Sequence, residues 1–157
     1  MDRSRRCRNT LVLLNDWPTP ISLRAVGEVH GWSCAQLDEV LNSLRPAGLI
    51  DPESTVSGFI ELTHLGMKVA ENSSVCEAVR IKRELRCNIL RALYDHPHGR
   101  KVCVDLRTIL PPTDLRELAM ACIYLAGEGL IHYLTMDYCA VLTKAGVERL
   151  EKGETAY

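Results

Sequence analysis

The chain has 157 residues, with 19 Lys and Arg against 20 Asp and Glu, 46% hydrophobic residues and 25% charged residues. This composition is typical of a globular protein and excludes disordered, collagenous and low-complexity chains. The longest uncharged apolar stretch, residues 118–127, is about half of the roughly 20 residues that a transmembrane helix needs. We therefore expect a cytoplasmic protein with no membrane partner. The seven cysteines are scattered and odd in number, which predicts reduced thiols.

The first half of the chain predicts a helical unit that ends in a hairpin and a short helix. The predicted elements are, in order, a helix over residues 8–15, a second helix after Ser22, a third helix after Ser33, a hairpin within 49–63 whose β-prone segment is 59–62, and a helix over 63–71. The two serines are expected to be N-caps, because a serine hydroxyl accepts a hydrogen bond from a backbone N–H of the first turn.

The second half of the chain predicts a similar series of elements. They are a long helix from about residue 74 to 95, a short helix over 103–109, a helix over 113–127, strands over 131–134 and 138–142, and a helix over 143–152. Apolar residues recur along the long helix at Val75, Val79, Ile81, Leu85, Ile89 and Leu93. This face is expected either to join the two halves rigidly or to mediate a homodimer.

Two short motifs occur once in each half. Gly48-Leu49-Ile50 recurs 81 residues later at 129–131, and Leu-Thr-x-x-Gly at 62–66 recurs 80 residues later at 142–146. Since the two offsets agree within one residue, we interpret the chain as a tandem duplication. The sequence thus predicts an α+β, mainly helical protein with domains at 1–73 and 74–157.

The order helix, helix, turn, helix, hairpin, with Gly-Leu-Ile after the third helix and Leu-Thr after the hairpin, resembles the winged helix-turn-helix regulators of bacteria, phages and archaea. The resemblance implies two winged-helix units in tandem and a DNA-binding regulator of transcription. In such a regulator the third helices enter the major groove of double-stranded DNA. Tandem winged helices also occur in kleisin-binding and endosomal sorting complexes, so the alternative is a protein-interaction adaptor that binds no nucleic acid.

The DNA-binding hypothesis names two sets of residues. The candidates for reading base edges lie on or beside the third helices: Ser33, Gln36, Asn42, Thr113 and Arg116. The candidates for binding phosphates are the arginines of an N-terminal arm and the basic residues of the second half: Arg3, Arg5, Arg6, Arg8, Arg80, Lys82, Arg83, Arg86, Arg100, Lys101 and Arg107.

The third helices themselves are not basic. Asp38 and Glu39 lie among the outward positions of the first, while Met120 and Tyr124 are predicted to face outward on the second. Both predicted wings are also poor in Lys and Arg. The charge pattern therefore keeps the protein-interaction alternative open.

No pattern in the sequence predicts an enzyme, a cofactor or a metal site. There is no phosphate loop, no paired carboxylates in a defined motif and no nucleophile beside an activating base. His96 and His98 flank a proline, with no third ligand at a suitable spacing, so we interpret them as part of a polar loop.

Overall fold

The computed structural model describes residues 2–16, 21–51, 59–72 and 77–153, and the fold is α+β and mainly helical. The chain divides into two compact units, Met1–Cys76 and Glu77–Tyr157, called unit 1 and unit 2 below. The sequence predicts a boundary after residue 73, which lies outside the described residues. In the part of the chain that the structure describes, no helix is long and apolar enough to cross a membrane.

Unit 1 combines four helices with a small antiparallel pairing. Its elements are α1 (Arg3–Asp16), β1 (Ile21–Ser22), α2 (Leu23–His30), α3 (Cys34–Leu44), β2 (Phe59–Ile60) and α4 (His64–Asn72). Strand β1 pairs with β2, placing Ile21 opposite Ile60. An antiparallel bridge between Ile50 and Leu62 joins the two arms of the predicted hairpin, whose turn lies outside the described residues. These four residues are buried in the core of the unit.

Local capping explains where the helices of unit 1 begin. The Ser22 hydroxyl accepts from the backbone N–H of Ala25 at 3.1 Å, which confirms the predicted cap of α2. Ser33 caps α3 as predicted. Helix α1 begins at Arg3 rather than near residue 8, because the Asp2 carboxylate accepts from the backbone N–H of Ser4 at 2.6 Å. The predicted N-terminal arm is therefore the first part of a helix.

Unit 2 contains three helices around a three-stranded antiparallel sheet. Its elements are α5 (Glu77–Asp95), β3 (Val104–Asp105), a 3-10 helix (Leu106–Thr108), α6 (Leu115–Gly127), β4 (Ile131–Leu134), β5 (Cys139–Leu142) and α7 (Lys144–Glu151). The strand order is β3-β5-β4. Strands β4 and β5 form the predicted second hairpin, with Ile131 opposite Leu142. The core residues of this unit come from α5, α6 and all three strands.

One prediction for unit 2 needs correction. The predicted helix over 103–109 is wrong, because Val104 pairs with Ala140 in the sheet and only one turn of 3-10 helix follows. The Asp105 carboxylate caps that turn through the backbone N–H of Arg107. Along the apolar face of α5, Val79, Ile89 and Leu93 are buried, whereas Ile81 is 55% exposed.

The repeated motifs adopt the same geometry in both units. In unit 1 the Thr63 hydroxyl donates to the carbonyl of Gly48 at 2.6 Å and accepts from the N–H of Gly66 at 3.1 Å. In unit 2 Thr143 makes the equivalent bonds to Gly129 and Gly146, at 2.7 and 3.0 Å. We call each set of three residues a threonine latch. Each latch ties the end of the third helix to the start of the closing helix.

The cysteines of the described residues are free thiols: Cys7, Cys34, Cys87, Cys103, Cys122 and Cys139. Cys122 is fully buried, as predicted for a small core residue. Burial raises the pKa of its thiol to about 12, because an apolar environment disfavours the thiolate. Such a thiol is inert toward oxidation and metal binding at neutral pH.

Candidate nucleic-acid interface

Helix α3 presents an exposed polar face in unit 1. The side chains of Gln36 and Asn42 are exposed on it. Gln36 completes a capping box: its Oε1 accepts from the backbone N–H of Ser33 at 2.9 Å, while the Ser33 hydroxyl accepts from the N–H of Gln36. A paired hydrogen bond from Gln36 to a base would require this box to open. The Asn42 side chain makes no hydrogen bond with the described residues and is the better placed of the two.

One of the N-terminal arginines, Arg6, contacts α3. Arg6 on α1 is largely buried, and its Nη2 donates to Glu39 Oε2 on α3 at 3.0 Å. This ion pair neutralises one of the two carboxylates that the sequence places on the outward face of α3. Arg3, Arg5 and Arg8 are exposed on the same helix. In unit 1 a helix that bears three exposed arginines is thus joined to the polar helix α3 by one ion pair.

In unit 2 the basic side chains of α5 cover the outward face of α6. Lys82 is only 8% exposed, and its Nζ donates to Glu117 Oε2 at 3.0 Å. Arg86 is 2% exposed, with its guanidinium carbon 3.6 Å from the centre of the Tyr124 ring. This is a cation–π contact that also removes the ring from water. The positions of Lys82 and Arg86 count against a phosphate-binding role for either residue.

The prediction that Met120 and Tyr124 face outward is therefore wrong. Both residues are buried. Arg116, the base-reading candidate on this helix, is half-buried and its Nη1 lies 3.0 Å from the sulfur of Met120. The hydroxyl of Thr113 donates to the backbone carbonyl of Pro111 at 2.9 Å. Neither residue is arranged on an open face as the two polar residues of α3 are.

The other phosphate-binding candidates of unit 2 fall into two groups. Arg80 pairs with Glu77 and Glu84, and Arg107 pairs with Asp105 at 2.8 Å. The Arg107 guanidinium lowers the pKa of the Asp105 carboxyl by hydrogen bonding, so this pair stays ionised and internally compensated.

The second group consists of Arg83, Arg100 and Lys101, which are exposed and make no ion pair with the described residues. Arg100 lies over the Tyr94 ring, 4.8 Å from its centre. These three side chains are available to an anion. The outward face of α6, the third helix of unit 2, is covered and so does not accompany them as a polar reading face.

The hairpin of strands β4 and β5 is apolar at its tip. Leu134 is 54% exposed and Met136 is 92% exposed. The segment from 132 to 140 contains no Lys or Arg and one carboxylate, Asp137. This hairpin therefore offers a phosphate no lysine or arginine, only the exposed imidazole of His132. The turn of the first hairpin falls outside the described residues.

No cluster of three or more potential metal ligands occurs within residues 2–16, 21–51, 59–72 and 77–153. His96 Nδ1 accepts the backbone N–H of His98 at 3.0 Å, which occupies the lone pair that a metal would need. Comparison with protein-family models, with curated proteins and with solved structures finds no match to this chain. The functional interpretation consequently depends on the site geometry alone.

Proposed function

We propose that the protein is a regulator that binds double-stranded DNA through unit 1. The observation that carries this proposal is the Arg6–Glu39 ion pair, which holds a helix bearing three exposed arginines against the exposed polar helix α3. A polar helix flanked by arginines suits a DNA contact, because the helix can read base edges while the arginines bind phosphates.

In this proposal each unit is a winged helix-turn-helix. The order of elements in unit 1 supports this interpretation: α2 and α3 follow one another across Gly31, and the Ile50–Leu62 bridge then pairs the two arms of the wing. The identical threonine latches support the same interpretation for unit 2. In unit 2 a single 3-10 turn, Leu106–Thr108, takes the place that helix α2 has in unit 1.

The two units have different roles in the proposed complex. Helix α3 enters the major groove with Asn42 as the main base-reading residue, and Arg3, Arg5 and Arg8 contact phosphates. Unit 2 contributes no base reading, since Lys82 and Arg86 cover the outward face of α6. Its exposed basic residues contribute at most non-specific attraction.

A salt titration of duplex DNA binding tests this assignment. Replacing Arg3, Arg5 and Arg8 with alanine should weaken binding and reduce the slope of log K against log salt by up to about 0.9 per lost phosphate contact. The matched control removes the same number of charges from unit 2, at Arg83, Arg100 and Lys101, and should leave most of the slope intact. Fluorescence anisotropy with a random duplex at several salt concentrations measures the affinity and the salt slope of both variants. Equal losses in the two variants would contradict the proposed role of unit 1.

A second candidate function, a protein-interaction adaptor, is favoured by the apolar tip of the β4–β5 hairpin. Leu134 and Met136 are exposed there without any basic neighbour in the hairpin. Absence of salt-dependent DNA binding at low salt would favour this alternative. The adaptor function further requires that a protein partner bind the wild type and fail to bind a Met136→Asp variant of equal stability.

A further inference from the structure

An apolar groove runs between α2 and α3 in unit 1. Its volume is about 490 Å³. The floor and walls are formed by Leu23, Gly27, Trp32, Leu37 and Leu41. Clefts of roughly 300–1,000 Å³ with mainly apolar linings and a few polar groups are typical of small-molecule sites. The groove has this size and this composition.

The corresponding place in unit 2 is largely filled. Leu106 follows the cap Asp105 just as Leu23 follows the cap Ser22, and the cavity beside it measures only about 150 Å³. Four residues after these leucines, unit 1 has Gly27 and unit 2 has Leu110. In unit 2 the side chain of Leu110 and the two prolines that follow it line this smaller cavity.

Close packing does not require a glycine at position 27. A Cβ built there would lie 3.7 Å from its nearest neighbours, Leu37 Cδ2 and the Trp32 carbonyl oxygen, which is ordinary van der Waals contact. A glycine inside a helix is less favourable than an alanine. The main effect of Gly27 on the structure is that the floor of the groove stays open.

The rim of the groove is unevenly charged. Arg24 and Glu28 pair with each other at 2.8 Å, so their charges cancel. Asp38, on the opposite side, is exposed and makes no ion pair with the described residues. The rim thus carries one uncompensated negative charge beside the apolar floor. A complementary ligand has an apolar body and one positive charge.

We propose that this groove binds small organic cations with a flat apolar body. The body lies over Gly27, between Leu23 and Leu37 and against Trp32, and its ammonium group lies at Asp38. One face of the Trp32 indole is already covered by His30, whose ring stacks on it with centroids 4.2 Å apart. The groove shares α3 with the proposed DNA contact, and its ligand binding can be measured in the absence of DNA.

Three probes that share one ring system test the proposal: 2-(1-naphthyl)ethylammonium, the neutral 2-(1-naphthyl)ethanol and the anion 1-naphthylacetate. Each is titrated into the full chain while the indole N–H signals are followed by ¹H–¹⁵N NMR. The chain has two tryptophans, so a Trp17→Phe variant assigns the two indole signals. We expect the Trp32 signal to move, with the ammonium binding about two- to fivefold tighter than the alcohol, the range for an exposed ion pair, and with the anion weakest.

Two variants decide where the probes bind. Gly27→Leu, which introduces the residue that unit 2 has, should abolish the Trp32 response, whereas Gly27→Ala should retain it. Asp38→Asn should leave alcohol binding unchanged and remove the preference for the ammonium. If Gly27→Leu fails to fold, the result with Asp38→Asn decides whether the probes bind in the groove. No response to any probe at millimolar concentration, or an equal response in Gly27→Leu, would overturn the proposal. So would a Trp32 signal that moves with protein concentration alone, because a second copy would then cover the groove.

Discussion

Gly66 lies so close to Leu49 that a Cβ at position 66 would be 2.0 Å from the Leu49 carbonyl oxygen. Gly146 stands in the same relation to Leu130, at 2.2 Å. In each unit the closing helix therefore packs directly on the backbone that follows the third helix. Glycine is required at both positions by this close approach.

Alanine at either glycine should accordingly destabilise its own unit. We expect Gly66→Ala and Gly146→Ala each to lower the free energy of unfolding by about 1–3 kcal/mol, since backbone atoms must move to relieve the overlap. Gly27→Ala is the control, because it adds the same methyl group to a helical glycine with room for it. Urea unfolding provides the measurement. An equal loss of stability in all three variants would mean that the close approach of the backbone is not the cause of the destabilisation.

Removing the latch hydroxyls should also act on one unit at a time. Thr63→Val and Thr143→Val each lose the two hydrogen bonds of a latch, which should cost about 1–2 kcal/mol of stability. Both tryptophans belong to unit 1 and all five tyrosines to unit 2. Tryptophan fluorescence should therefore report the loss in Thr63→Val, and tyrosine near-UV circular dichroism the loss in Thr143→Val.

Serine at the same positions retains the hydroxyl and is the control for the latch. Thr63→Ser and Thr143→Ser should keep most of the stability that the valine variants lose. If serine and valine cost the same, the methyl group rather than the hydrogen bonds would be responsible for the effect of the threonine.

The latches show what the sequence could predict. The recurrence of Gly-Leu-Ile and of Leu-Thr-x-x-Gly predicted similar local contacts in the two halves, because the same backbone contacts require the same residues twice. The caps at Ser22 and Ser33 were predictable for a related reason, since a cap depends on residues within one turn. The strands β1 and β3 could not be predicted from the sequence, because each has two residues and two residues show no periodicity.

The sequence pattern also could not predict that the outward face of α6 is covered. The helical periodicity of α6 left Met120 and Tyr124 outside its apolar stripe. Which residues cover that face depends on α5, more than 30 residues earlier in the chain, and on the apolar stems of Lys82 and Arg86. The same limit applies to the groove beside Gly27, which depends on how α2 and α3 pack together.

Breaking the Lys82–Glu117 pair should destabilise unit 2 without affecting DNA binding. Lys82→Met should lower the free energy of unfolding by about 1–3 kcal/mol, because Glu117 loses its partner while keeping part of its contact with solvent. The slope of log K against log salt should be that of the wild type. The double variant Lys82→Met/Glu117→Gln should recover part of the stability. A reduced salt slope in Lys82→Met would show instead that this lysine reaches a phosphate.

Stability of unit 1 should decrease at mildly acidic pH through His30. Burial lowers the pKa of His30 below its ordinary value of 6.5, because desolvation disfavours the imidazolium that would stack on Trp32. The unfolded chain therefore binds a proton at higher pH than the folded chain does. The free energy of unfolding should fall as the pH drops below about 6.5 and level off once the pH is below the folded-state pKa.

Urea unfolding followed by tryptophan fluorescence between pH 7.5 and 5.5 measures this dependence. The difference between the wild type and His30→Gln isolates the contribution of His30, because the other histidines and the carboxylates are common to both proteins. The wild type should lose more stability than His30→Gln over this interval. Equal losses would mean that His30 titrates alike in the folded and unfolded chains, and that its contact with the indole does not depend on its charge.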